Sequence, residues 1–144
     1  MHLKYILLWL LFLLSACFIN AQTKEKGITV KVSGINEIKG NLLIAFYSQK
    51  NDFLNEDKAV YSKIVKVNSK TMEANFTDIK KGRYAVVVIH DANANKILDT
   101  NFLGIPTEYI GNSNNIRNYF GPPSFDDSAF LFDGTHLSVN IELY

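Results

Sequence analysis

Residues 84–89 read YAVVVI, an uncharged run in which four of the six side chains branch at Cβ. Such side chains are stiff at χ1 and fit a pleated surface, and six residues are too few for a helix of ordinary length. The run predicts a strand. Just upstream, Lys80-Lys81-Gly82 reads as a turn, with Gly82 free to take a positive φ. Before that, Met72, Ala74 and Phe76 alternate with Glu73, Asn75 and Thr77, the period of a strand with one wet face. Tyr61 to Val67 predicts another strand, after a polar connection from Ser48 to Lys58 with room for a turn of helix. Gly40 opens a strand with Leu42, Ile44 and Phe46 on one side and Leu43, Ala45 and Tyr47 on the other. Both sides are apolar, which places it inside a sheet rather than at an edge. Ile28, Val30 and Val32 near the start, and Leu137, Val139, Ile141 and Leu143 at the end, alternate cleanly with polar residues.

Six or seven short strands, with no sustained helical period before residue 120, predict an all-β chain folded as an antiparallel β-sandwich. Immunoglobulin-like and transthyretin-like arrangements both suit the pattern. The span from Asp91 to Asp127 is far longer than an ordinary strand connection and is rich in Asn, Gly and Pro. It also carries Phe102, Tyr109, Tyr119, Phe120 and Phe125, whereas disordered segments are poor in aromatics. It therefore reads as one long ordered loop packed over an end of the sandwich. Ser124 and Asp127 are placed to cap a short helix running through Phe130.

The loop opens with DANANKILD, residues 91–99, which sets Asp91, Asn93, Asn95 and Asp99 at the first, third, fifth and ninth places. Short oxygen-bearing side chains at those places can wrap a hard cation, with the seventh residue, Ile97, adding its backbone carbonyl. Calcium is the expected ion. Two departures from a twelve-residue calcium loop matter. The sixth place is Lys96 rather than Gly, so a sharp turn there strains a non-Gly residue or is made differently. The twelfth is Phe102, so the usual bidentate Glu is absent; Glu108 folding back is the first candidate to replace it, and Asn101 the second. So few carboxylates imply a dissociation constant on the order of 10⁻⁴ to 10⁻³ M. The competing reading needs no ion, because Asp and Asn bond their own backbone and tolerate left-handed conformations.

Residues 1–21 are set apart from the fold. A cationic start (His2, Lys4), the apolar stretch Tyr5 to Leu14 and small residues at Ser15, Ala16 and Ala21 make a secretory signal peptide. Two processing routes are open. Leu14-Ser15-Ala16-Cys17 resembles a lipobox, which would leave a lipid on Cys17; Ile19-Asn20-Ala21 suits cleavage before Gln22. Phe18 and Ile19 extend the apolar stretch past Cys17, which favours the second route. Either route predicts export to the periplasm or beyond, with membrane attachment only if Cys17 is lipidated. Residues 22–144 then form a single domain. Cys17 is the only cysteine, which excludes a disulfide framework and a cysteine metal site. Lys and Arg number 15 against 14 Asp and Glu, so losing Lys4 leaves a balanced chain, unsuited to capturing nucleic acid.

The pattern His90-Asp91-x-Asn93-x-Asn95-x-x-x-Asp99-x-Asn101-x-x-Gly104-x-Pro106-x-Glu108 resembles the signature of the bacterial family named domain of unknown function 2141. Gly121-Pro122-Pro123-Ser124-Phe125, Ala129-Phe130, Phe76-x-Asp78-x-x-x-Gly82-x-Tyr84-Ala85 and the strand ending at Tyr144 extend the likeness. The resemblance implies an exported β-sandwich with no established activity, and it assigns no catalytic or binding residue.

Other chemistry is thinly supported. His90 shares a strand face with Tyr84, Val86 and Val88 and reads as a strand-end imidazole bonded to a loop carbonyl rather than a general base. Adjacent Asp126 and Asp127 suit helix capping better than a hydrolytic pair, and no nucleophile elbow, phosphate loop or HExxH occurs. Phe102, Phe120 and Phe125 are assigned to packing, while Tyr109 and Tyr119, flanked by Asn112, Asn114, Asn115 and Arg117, are candidates for ligand contact. The expectation is a non-catalytic exported module with a calcium-stabilised loop and an accessory binding role toward an extracellular or envelope ligand. The alternatives are a calcium-independent carbohydrate- or peptide-binding module and a small hydrolase using His90.

Overall fold

The computed structural model describes residues 26–118 and 121–144. The expected leader, Cys17, Tyr119 and Phe120 lie outside the described residues. Among the described residues eight strands form: β1 (Gly27–Ser33), β2 (Asn41–Tyr47), β3 (Tyr61–Lys66), β4 (Met72–Phe76), β5 (Gly82–Asp91), β6 (Tyr109–Asn112), β7 (Phe130–Phe132) and β8 (His136–Glu142). One sheet runs β4-β1-β8; the other runs β3-β2-β5-β6, with β7 joining β5. The two stack as a β-sandwich. Every pairing is antiparallel except β1 with β8, which is parallel, Ile28 lying opposite Leu137 and Val32 opposite Ile141.

The alternation explains the stacking. Val30, Phe46, Val86 and Val88 are wholly buried between the sheets, and Ile28, Leu42, Ile44 and Ile141 nearly so. Each such side chain stabilises by roughly 1.5–3 kcal/mol relative to an exposed one. Phe46 sits among Phe76, Tyr61 and Tyr84 with ring centroids 4.7, 6.2 and 6.3 Å away. Both hydrophobic clusters draw only on residues between Ile28 and Leu143, so the portion from Lys26 onward holds the whole described core. As its two apolar faces predict, β2 is internal, between β3 and β5. Its outer face, with that of β5, carries a second small cluster around Tyr47, Ala85 and Phe125.

Three local expectations are corrected and a fourth is met. The span from Asp91 to Asp127 is not a single loop, since it contains β6, a single turn at Ser113–Asn115 and the start of a helix. The helix, α1 (Phe125–Ser128), has Ser124 as its cap but stops before Phe130, which starts β7. Gly82 begins β5 without a positive φ; in that connection the left-handed residue is Asp78, at φ 60°. The Ser48–Lys58 connection makes two single turns, Lys50–Asp52 and Glu56–Lys58, the second capped by Asn55.

Candidate functional site

The loop hangs from the end of β5, where three constraints meet. Asn41 pairs with Asp91 and Leu42 with His90. Gly40, at φ 66°, lies so close that a Cβ there would overlap the Asp91 carbonyl oxygen. Only glycine permits that approach. His90 is buried on the core side, its Nε2 lying 3.0 Å from the Lys39 carbonyl oxygen. A carbonyl only accepts, so Nε2 carries the proton, and Nδ1 is left with no partner.

From this anchor the loop folds on its own polar side chains. Asp91, fully buried, accepts the Asn95 amide at Oδ1 (3.0 Å) and the Lys96 amide at Oδ2 (2.8 Å). Asn93 Oδ1 also accepts from the Asn95 amide, and Asn95 Oδ1 from the Ile97 amide. Ala94 and Lys96 take φ of 62° and 65°, so the sharp turn at the sixth place is made by a strained lysine. The amide heads then converge on Asp99: Asn93 Nδ2 lies 2.6 Å from its Oδ2, and Asn95 Nδ2 lies 3.1 and 3.2 Å from its two oxygens. Glu108 does fold back, but onto the backbone, accepting the Ala92 and Asp99 amides at 3.2 Å each. Ile97 donates its amide to Asn95 and turns its side chain to solvent. Among the described residues no group of three or more His, Cys, Asp or Glu side chains is placed to hold a metal. At Asp99 two side-chain amides thus donate to one carboxylate, with no thiolate or imidazole of the kind zinc prefers among the groups that meet there.

Beyond Asp99 the loop runs out to a turn and back. Thr100 bridges Pro106, and the Thr107 amide donates to Asp99 O at 2.9 Å. Asn101 is not turned toward Asp99; its Oδ1 accepts the Leu103 and Ile105 amides. Phe102, expected to pack, is 94 % exposed at the tip. At the loop's base, Leu98 and Pro106 wall a small groove of about 140 Å³ over Val87, Ile89 and Ile110, on the outer face of β5 and β6. Tyr47 and Glu56 close its other side. Burial pushes the Tyr47 hydroxyl above its usual range, and the Glu56 carboxylate adds to the shift.

The return half of the connection is stitched to the sandwich instead. Ser113, fully buried, accepts the Val86 amide at 2.9 Å and donates to the Ser128 carbonyl. Ser128 Oγ donates to Asn112 Oδ1, which also accepts the Ile116 amide. Asn114 and Asn115 donate to main-chain oxygens of Asp127, Ala129 and Asn140, so these asparagines hold structure rather than offer contacts. Tyr109 is 40 % exposed at the start of β6 but does not line the groove, and its expected companion Tyr119 is outside the described residues. Sequence reasoning missed the groove and the Asn101 turn. The first comes from distant segments; the second had a local sign, an Asn three residues before Gly104.

No curated protein and no solved structure matches the chain significantly. The model of the family described as an uncharacterized protein conserved in bacteria, domain of unknown function 2141, matches residues 30–140, and the chain belongs to that family.

Proposed function

We propose that the chain is an exported, non-catalytic module whose Asp91–Glu108 loop is ordered by calcium and which serves an accessory binding role. One observation carries this reading: Asn93, Asn95 and Asp99 meet at a single point, with Lys96 held in the left-handed turn that a calcium loop makes at its sixth place. A cation at Asp99 faces amide NH₂ groups as they stand, so binding requires both amides to turn their oxygens inward. That exchange costs the bonds to the Asn95 and Ile97 amides but needs no new backbone path. Asp91 and Glu108 retain lone pairs beyond the amides they accept, so each can also contribute to an ion. The cost of the exchange fits a weak site, roughly 10⁻⁴ to 10⁻³ M. Because Leu98 and Pro106 wall the groove, ordering the loop also shapes a surface for binding. His90 is sealed beneath Lys39, poorly placed to take a proton from a substrate.

The test is a thermal melt of the portion from Lys26 onward, in about 10 mM calcium against chelator. Mass action at the expected affinity adds about 1.4–2.7 kcal/mol, several degrees in Tm. Asp99→Ala should erase the rise. A melt that ignores calcium sinks the reading. It would favour a loop closed by Asp91 and Glu108 alone, which already hold four backbone amides. The chain would then be a calcium-independent carbohydrate- or peptide-binding module, tested by loss of glycan or peptide retention on Tyr109→Ala.

A further inference from the structure

The loop's tip gathers large apolar side chains where water would reach them. Phe102 is 94 % exposed, Leu103 68 % and Ile105 55 %. Residues 100–107, TNFLGIPT, carry no charge. Around Gly104 there is open space, so the turn stands clear of the rest of the molecule. Surfaces of soluble proteins scatter such side chains singly; a cluster marks a contact.

The backbone of this tip is closed upon itself at every amide but that of Phe102. The Leu103 and Ile105 amides donate to Asn101 Oδ1 at 2.9 and 3.0 Å. Gly104 N donates to Asn101 O, Asn101 N to Ile105 O and Thr107 N to Asp99 O, each at 2.9 Å, while Pro106 has no amide hydrogen. In water this closure matters little, because water would serve those groups. In a medium without water every unpaired amide is expensive, and a turn that pairs its own donors, the Phe102 amide excepted, enters at a lower cost than an open one.

We propose that the Asn101–Pro106 turn is a membrane-docking element that places Phe102, Leu103 and Ile105 at the boundary between headgroups and acyl chains of a bilayer. Size and chemistry favour lipid over a protein partner. A specific protein interface covers about 800 Å² on each side and draws on roughly 20–30 residues. Three side chains on a convex turn cannot supply that, and no charged group at the tip sets a register. Asn101, its one side-chain amide, already holds the turn by its oxygen. A soft apolar medium needs neither area nor register. The turn is built by Asn101 rather than at Asp99, so docking does not rest on the calcium reading. It also differs from attachment through a lipid on Cys17.

The only tryptophan is Trp9, so Phe102→Trp gives the portion from Lys26 onward a single indole at the tip. Added to phosphatidylcholine vesicles, its emission should shift to the blue and be quenched by brominated acyl chains, in calcium and in chelator alike. The unsubstituted portion should float with the vesicles. The double variant Leu103→Ser, Ile105→Ser should lose at least about tenfold in partitioning while melting unchanged. Insertion seen only with calcium would still support docking and tie it to the ion. An indole that stays in water at millimolar lipid, with the protein left at the bottom of the gradient, overturns the proposal. A blue shift that needs added protein, or higher concentration of this chain, instead of vesicles overturns it too and assigns the tip to a protein contact.

Discussion

Phe102 and Phe125 lie on the stretch of chain between β5 and β7, one on either side of β6, and they have opposite fates. Phe125 is 4 % exposed, edge-on to Phe53 at 5.9 Å and beneath the Arg83 guanidinium at 5.1 Å. Phe102 touches little but solvent. The halves of the chain that carry them are ordered by different means. The return half is bonded to the sandwich through Ser113, Asn112 and Ser128, and its aromatic ring joins the cluster of Tyr47 and Ala85. The outgoing half bonds chiefly to itself, through Asp91, Asn93, Asn95, Asp99, Asn101 and Glu108. A segment ordered by contact with the core is part of the fold. One ordered by its own hydrogen bonds is free to carry a site or to present a tip.

The contrast breaks most readily at Phe125. Phe125→Ala should cost about 3–5 kcal/mol, read as a lower denaturation midpoint at unchanged m, because it empties a filled position. Little loss would mean the return half is not part of the cooperative fold. Next is Ser113→Ala. It removes the partner of the Val86 amide and of the Ser128 carbonyl, and a loss of about 1–3 kcal/mol for each group left unpaired is expected. Hydrogen exchange should quicken at Val86 first.

Asp126, exposed at the start of α1, offers a smaller and pH-dependent test. Its bonds to Arg83 (2.9 Å) and Lys50 (3.4 Å) hold its carboxyl below the usual 3.8. A folded pKa below the unfolded one means the contribution is complete above about pH 4 and is lost as pH falls through the folded value. Asp126→Asn should therefore lower Tm slightly at pH 7, and the difference from the parent should vanish on acidification. Smallest of all is Phe102→Ala, expected within about 0.5 kcal/mol of the parent, as for other surface positions. A larger loss would show that the tip is packed and would undo the comparison.

Strand periods were legible because they depend on neighbours in the chain. The alternation in β1, β4 and β8 and the two-faced pattern of β2 each follow from which side of a pleat must be dry. Turn chemistry was legible for the same reason: Asp91, Asn93 and Asn95 bond amides two to five residues away, and the return of Glu108 followed from one acid near a loop that lacked one. β6 and β7 were not legible. Four and three residues carry too few periods to declare themselves, and they are strands only because β5 offers its edges. The parallel pairing of β1 with β8 joins the two ends of the fold, and no local signal encodes it.

From its residues alone, the chain's class as a β-sandwich, the inner position of β2 and the polar self-bonding of the Asp91 loop could be worked out, since periodicity and short-range hydrogen bonding act over a few residues. Which of the two phenylalanines flanking β6 is sealed and which stands in water depended on where distant segments arrive. Phe125 meets Phe53 and Arg83, and Phe102 meets nothing comparable. Burial is a property of what comes near in space, and only the assembled sheets decide that.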